Sequence, residues 1–104
     1  MDTQLPKVVQ DCHNLILWLI PLLDKFPRTR RFTLGERLEN NLLSILENLV
    51  EACYTKQRRN ILIRTNRQLE ITRHLWRLAF ELQVISQQRY KHGAKLMKNI
   101  SGSI

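Results

Sequence analysis

The side chains in this sequence best suited to chemistry are its cations. Lysine and arginine together number 17 against nine aspartate and glutamate residues, which leaves a formal net charge of +8. Such an excess concentrates polyanions around a protein and speeds their encounter with it. Charge alone leaves RNA, DNA, an anionic membrane and an acidic protein surface open as partners.

One group of basic residues falls on one half of a helix predicted over residues 57–82. Projected at about 100° per residue, the group lies opposite an apolar stripe that includes Leu62, Leu69 and Trp76. Its members are Arg59, Arg67, Arg73, His74 and Arg77. Arg73 and Arg77 are one helical turn apart, so their two guanidinium groups are predicted to face successive phosphates or carboxylates together.

A second basic row is predicted on the helix that follows, where Lys91, Lys95 and Lys98 face outward. If the two helices are neighbours, the positive electrostatic potentials of their basic faces add together. We therefore predict a nucleic-acid or partner-binding surface here. A solvated face, partly neutralised by Glu70, is the alternative interpretation of the first row.

Four more arginines lie where the second predicted helix begins, namely Arg28, Arg30, Arg31 and Arg37. Cations at a helix N-terminus oppose the helix dipole by roughly a few tenths of a kcal/mol each, so an anionic partner is expected. Glu36 and Glu39 of the same chain are candidates, and so are acidic groups of another subunit or protein. We favour an intermolecular contact, with Phe26, Phe32 and Leu38 anchoring the turn.

The residues needed for catalysis or metal binding do not form a recognisable pattern. His13, His74 and His92 fall on three different predicted helices, and the two cysteines lie on apolar helix faces away from any ligand spacing. The sequence contains no Gly-rich phosphate loop, no nucleophile elbow and no Glu-x-x-His pair. We therefore expect a noncatalytic protein with no catalytic residue, metal or cofactor.

The elements that position these side chains are predicted to be helices. Glycine and proline occur only three times each, and apolar residues recur at spacings of three and four. We predict a single domain over residues 1–104 with helices at about 4–25, 29–54, 57–82 and 86–100. Short connections favour an antiparallel four-helix bundle, an all-α fold.

Details of the helix ends and faces carry further predictions. Thr33 and Glu36 have capping-box spacing, which permits a later start for the second helix. Ser86 is a suitable N-cap for the fourth helix, and residues 101–104 are expected to fray. The third helix has a second apolar stripe comprising Ile71, Leu75, Leu78 and Leu82. Two stripes on one helix imply two neighbours, either within the bundle or at a subunit interface.

The apolar run LILWLIPLL is about half the length of a membrane span and contains Pro21. No secretion signal is recognisable at the N-terminus. We expect a cytoplasmic protein that does not contact a membrane.

Two long segments resemble a known family. They are WLIPLLDKFPRTRRFTLGERLENNLLSILENLVEACY, residues 18–54, and ILIRTNRQLEITRHLWRLAFELQVIS, residues 61–86. Both are similar to the accessory variability determinant (Avd) proteins of diversity-generating retroelements, and the likeness extends from about residue 15 to 100. Its most diagnostic parts are the Phe26-Pro27 corner, the FTLGER segment and the stretch from Leu75 to Tyr90.

The resemblance implies a homopentameric barrel of four-helix protomers without catalytic activity. It also implies two partners, the reverse transcriptase of the element and its template RNA, in a complex that carries out mutagenic retrohoming. The basic outer surface is the inferred contact, so the two basic rows described above acquire that role by resemblance. A related group, the four-helix proteins encoded in ribosomal RNA intervening sequences, implies instead a structural oligomer or a protein-interaction module.

Overall fold

The computed structural model describes residues 4–104, which form four long helices and contain no strand. They are α1 (Gln4–Leu23), α2 (Glu36–Tyr54), α3 (Arg58–Glu81) and α4 (Gln87–Ser103). α2 packs between α1 and α3, and α4 closes the bundle by packing on α1 and α3. The predicted all-α class and the four helices are confirmed.

The core follows from the apolar spacing that predicted the helices. Each helix contributes residues at intervals of three and four, and the buried members include Leu15, Leu19, Leu42, Leu69 and Met97. Trp18 is half-buried and packs against this core. Burial raises the pKa of the Cys12 thiol to about 12, so Cys12 behaves as a small apolar residue at neutral pH.

The segment before α2 differs from the capping-box prediction. Helical geometry begins at Arg28 with one α-helical turn (Arg28–Arg30) and passes into a π-helical turn (Arg31–Gly35) that leads into α2. Thr33 lies within this stretch, and its hydroxyl donates to the carbonyl of Thr29 at 3.0 Å. Thr33 therefore does not cap a helix.

The prediction for Phe32, which lies in the same π-helical turn, is wrong. Phe26 and Leu38 are buried as anchors of the turn, but the side chain of Phe32 is 60% exposed. Phe32 lies six residues before Leu38, and that spacing projects about 120° away from the apolar stripe of α2 even in a regular α-helix. The larger number of residues in a π-helical turn does not hold Phe32 at the angular position of the stripe either.

The connection between α3 and α4 is tightly specified. Gln83 adopts a left-handed conformation with φ of 64°, its amide donates to the Phe80 carbonyl, and the Val84 amide donates to the Ala79 carbonyl. This pattern of two bonds ends a helix with a left-handed residue. Ser86 then caps α4 as predicted, because its Oγ accepts from the Arg89 amide at 3.2 Å. The helix continues through Ser103, three residues beyond its predicted end at about residue 100.

α3 and α4 are joined by one large buried residue, Trp76. Its side chain is fully buried, and its Nε1 donates to the Tyr90 carbonyl at 3.0 Å. Gly93 allows this approach, since a Cβ atom at that position would lie 2.7 Å from Trp76 Nε1. The indole thus sets the distance between the two helices that carry most of the predicted basic surface.

Candidate nucleic-acid interface

A surface pocket of about 290 Å³ lies between α3 and α4 and contains three of the predicted site residues. Its lining comprises Glu70, Arg73, His74, Trp76, Arg77, Tyr90 and Ala94. The predicted grouping of Arg73, His74 and Arg77 is therefore present. The prediction that these residues lie opposite Trp76 is wrong, because Trp76 lines the same pocket. Helix–helix packing, rather than one helix face, forms this site.

Each of the two arginines in the pocket has a carboxylate partner on its own helix. Arg73 Nη1 lies 2.7 Å from Glu70 Oε1, and Arg77 Nε lies 2.8 Å from Glu81 Oε2. The hydrogen bond and the charge of Glu81 raise the pKa of Arg77. These pairs are solvent-exposed and therefore weak, so a phosphate can compete for the same guanidinium groups.

The lysine row of α4 borders this pocket. Ala94 lines the pocket, and Lys91 and Lys98 lie three residues before and four residues after it, on the same side of the helix. Lys91, Lys95 and Lys98 are all exposed, as predicted. Among the described residues none of the three pairs with a carboxylate. We call the surface formed by Arg73, Arg77 and these three lysines the α3/α4 basic face.

The structure separates Arg59 and Arg67 from this pocket. Arg59 lines another pocket, at the start of α3, together with Asn66 and the C-terminal Ile104. Arg67 is exposed and lies four residues before Ile71, on the side of α3 that carries the second apolar stripe. His74 is exposed at the edge of the α3/α4 basic face.

The four arginines near the start of α2 also fall into two groups, one paired within the chain and one exposed. Arg31 is partly buried and pairs within the chain, with Glu39 at 3.1 Å and Asp24 at 3.6 Å. Gly35 leaves room for it, since a Cβ atom there would lie 3.2 Å from Arg31 Cδ. Arg28, Arg30 and Arg37 are exposed and have no carboxylate partner among residues 4–104. Internal compensation thus operates at Arg31, whereas the other three remain available for an intermolecular contact.

Sequence reasoning missed two groups of residues near these sites. Tyr90 lines the pocket and stacks on Phe80 with ring centroids 4.7 Å apart. Trp18 and His92 form an edge-on aromatic pair at 4.7 Å beside Arg89 in a separate pocket between α1 and α4. The only signal available for Tyr90 was its place in the segment QQRYKH, where an aromatic residue is flanked by cations.

The described residues offer no other recognisable centre. No group of three or more histidine, cysteine, aspartate or glutamate side chains among them is placed to hold a metal ion. Within the same residues, no helix combines the length and apolar character required to cross a membrane.

Comparison with known proteins identifies the family of this chain. Residues 7–104 match the sequence model of a protein family described as bAvd-like, which confirms the resemblance to Avd proteins inferred from the sequence. No curated protein and no solved structure matches the chain.

Proposed function

Because the chain belongs to the bAvd-like family, we propose that it is a noncatalytic accessory subunit of a diversity-generating retroelement. In this role it binds the reverse transcriptase and the template RNA in the cytoplasm and supports mutagenic retrohoming as a homopentamer. The observation that carries the RNA-binding part is the α3/α4 basic face. Four exposed cations and the half-buried Arg73 lie there beside two exposed carboxylates, Glu70 and Glu81.

The chemistry of this face suits a phosphate backbone. Arg73 and Arg77 are one turn apart, and guanidinium forks bind phosphate through two parallel hydrogen bonds. The lysines act as point charges along the neighbouring helix. Such contacts position a nucleic acid without reading its bases. We therefore assign affinity for RNA to this face, and we assign no sequence specificity to it.

The arginines outside this face supply a second contact. Phe32 lines a pocket of about 400 Å³ together with Glu36, Arg37 and Leu75, and the exposed Arg28 and Arg30 lie in the helical turn just before it. An exposed aromatic residue among unpaired arginines is the composition of a protein-binding surface. We assign contact with the reverse transcriptase to this region.

The test of RNA binding is a salt titration with a fluorescently labelled template RNA and the full chain. If five phosphates are neutralised, the binding constant falls by roughly two to three orders of magnitude between 50 and 200 mM salt. The double variant Arg73→Glu/Arg77→Glu is expected to bind at least roughly tenfold more weakly and to reduce the slope of log K against log salt by about two. It is also expected to abolish retrohoming without loss of helicity.

A matched control has the same change in net charge. Lys7→Glu/Lys25→Glu replaces two exposed cations of α1 and its end, which lie outside the α3/α4 basic face. It is expected to retain most of the affinity. Equal losses in both doubles would contradict the site, and RNA binding that does not change with salt would contradict RNA as a partner.

A structural or protein-interaction role is the alternative, and two observations favour it. Arg73 and Arg77 already have carboxylate partners, and several large apolar side chains remain exposed on α2 and α3. If the full chain shows no salt-sensitive RNA binding with or without polymerase, only the structural or protein-interaction role remains.

A further inference from the structure

A second pocket with an aromatic lining lies on the other border of α4, where α4 packs on α1. Its volume is about 640 Å³, and its lining comprises Trp18, Ser86, Gln88, Arg89 and His92. A volume of this order holds a small organic group. None of the five lining residues is acidic, whereas the pocket of the α3/α4 basic face includes Glu70. We call this second site the Trp18 pocket.

The two aromatic rings of the Trp18 pocket are not stacked on each other. Trp18 and His92 meet edge-on, with ring centroids 4.7 Å apart and 66° between their planes. An edge-on contact covers the face of only one of its two rings, whereas a parallel stack such as Phe80 on Tyr90 covers a face of both. His92 is also exposed. Its imidazole therefore keeps a ring face that is open to a ligand.

The residue types in this pocket are those that hold unpaired bases. Bases of single-stranded RNA stack on aromatic rings, including histidine, and on the planes of arginine guanidinium groups. Trp18, His92 and Arg89 bring these surfaces together in one pocket. Gln88 adds an amide that can donate and accept hydrogen bonds at a base edge. The Ser86 hydroxyl is already engaged as the cap of α4.

The Trp18 pocket is continuous with the cations assigned to the RNA backbone. Projected on α4 at about 100° per residue, Lys91 and Lys95 fall between Ala94, which lines the pocket of the α3/α4 basic face, and His92. Both lysines are exposed. A helix with its side chains is about 10 Å across, so a short single strand that crosses the outer side of α4 reaches both of its borders. The lysines then contact phosphates while a base enters the Trp18 pocket.

We propose that the Trp18 pocket binds an unpaired base of RNA by stacking. This inference rests on the proposed RNA-binding function and adds a preference that the α3/α4 basic face does not supply. Phosphate contacts attract single-stranded and duplex RNA alike, whereas a base inside a duplex is stacked on its neighbours and cannot enter the pocket. The chain therefore favours single-stranded RNA. Every base has a π face, so stacking itself selects no particular base.

The first test changes the RNA and leaves the protein intact. The full chain is titrated with three labelled RNAs of equal length, roughly 12 nucleotides: a single strand, a duplex, and a single strand with abasic sites. The abasic strand keeps its phosphates and lacks the bases. The intact single strand is expected to bind roughly 5- to 50-fold more tightly than the abasic strand, with the same slope of log K against log salt. The duplex is expected to bind more weakly than the intact single strand.

The second test changes the pocket. His92→Ala removes an exposed ring, and Trp18→Leu replaces the indole with a smaller apolar side chain. Each variant is expected to bind the intact single strand at least roughly fivefold more weakly and the abasic strand as the wild type does. Neither change removes a lysine or arginine, so the salt slope is expected to stay the same. The intact strand is also expected to quench tryptophan fluorescence more in the wild type than in Trp18→Leu.

His13→Ala is the matched control. His13 is exposed on α1 and lies five residues before Trp18, which projects it about 140° away from the Trp18 pocket. This variant is expected to bind all three RNAs as the wild type does. Helicity by circular dichroism shows whether the half-buried Trp18 can be replaced without unfolding. His92 is exposed, so His92→Ala tests the pocket even if Trp18→Leu does not fold.

The outcomes separate this inference from the proposed function. Equal affinity for the intact and abasic strands, or His92→Ala binding the intact strand as tightly as His13→Ala, overturns the stacking site and leaves salt-sensitive RNA binding in place. A wild type that binds none of the three RNAs overturns both. If His92→Ala weakens binding to purified reverse transcriptase and leaves RNA binding unchanged, the pocket is a protein-binding site, and the inference is also overturned.

Discussion

The two sides of α3 differ in the chemical character of their side chains. The side toward α4 is cationic, and its arginines pair with carboxylates one turn away. The side toward α2 is apolar from Ile71 onward and borders the π-helical turn that exposes Phe32. The cationic side is suited to exchange its weak ion pairs for contacts with phosphates. The apolar side is suited to pack against a protein surface, which releases water from the apolar side chains.

The two sides also differ in the contacts that fix the positions of their side chains. Toward α4, the close packing of Trp76 on Gly93 fixes the distance between the two helices and hence between arginines and lysines. Toward α2, the ion pairs of Arg31 hold the π-helical turn against the end of α1. A small residue sets the geometry of the cationic side, and a charged residue sets that of the apolar side.

The largest expected effect comes from filling the space beside Trp76. Gly93→Ala places a Cβ atom within 2.8 Å of three indole atoms, so the helices must separate or the indole must move. We expect a loss of about 3 kcal/mol in the free energy of unfolding, measured by chemical denaturation at fixed protein concentration. RNA affinity is expected to fall as well, because the α3/α4 basic face is distorted.

Gly102→Ala is the control for this prediction. Gly102 lies in the last turn of α4, where an added Cβ atom would meet no atom within 4 Å. Its stability is expected to change by less than about 1 kcal/mol. If both alanine variants are equally stable, Trp76 and Gly93 do not set the spacing of α3 and α4.

The next effect concerns the turn on the other side of α3. Arg31→Met removes both ion pairs and leaves Glu39, whose side chain is 30% exposed, without its partner. We expect a loss of about 1–2 kcal/mol, between the values typical of exposed and buried pairs. Thermal unfolding of Arg37→Met provides the comparison. Arg37 is exposed and unpaired among the described residues, so the expected change is below about 0.5 kcal/mol.

An Arg31 variant as stable as the Arg37 variant would remove the structural distinction between these arginines. All four would then be equally available for a partner, as the sequence first suggested. Loss of reverse transcriptase binding in Arg37→Met without loss of stability would instead sharpen the distinction.

Both sides were only partly predictable from the sequence, for physical reasons. Periodicity of three and four residues identifies buried positions such as Leu42 and Leu69, because regular helices repeat at 3.6 residues. Phe32 was expected to anchor the turn, but its spacing of six residues before Leu38 projects about 120° away from the apolar stripe, and the π-helical turn that contains it leaves no mark in apolar spacing. The pair of Arg77 and Glu81 was readable from its spacing of four. The pocket of Trp76 and Tyr90 was not, because it depends on how two helices pack.

The smallest effect separates RNA binding from stability on the cationic side. Glu81→Gln removes the carboxylate that holds Arg77 and repels phosphates, while its 54% exposed side chain contributes little to the fold. We expect RNA affinity to rise roughly two- to fivefold, with unfolding free energy changed by less than about 0.5 kcal/mol. Glu51→Gln makes the same charge change at an exposed position of α2 outside the α3/α4 basic face, and it is expected to leave affinity within roughly twofold. A fall in affinity in Glu81→Gln would mean that Glu81 orients the Arg77 guanidinium toward RNA instead of competing for it.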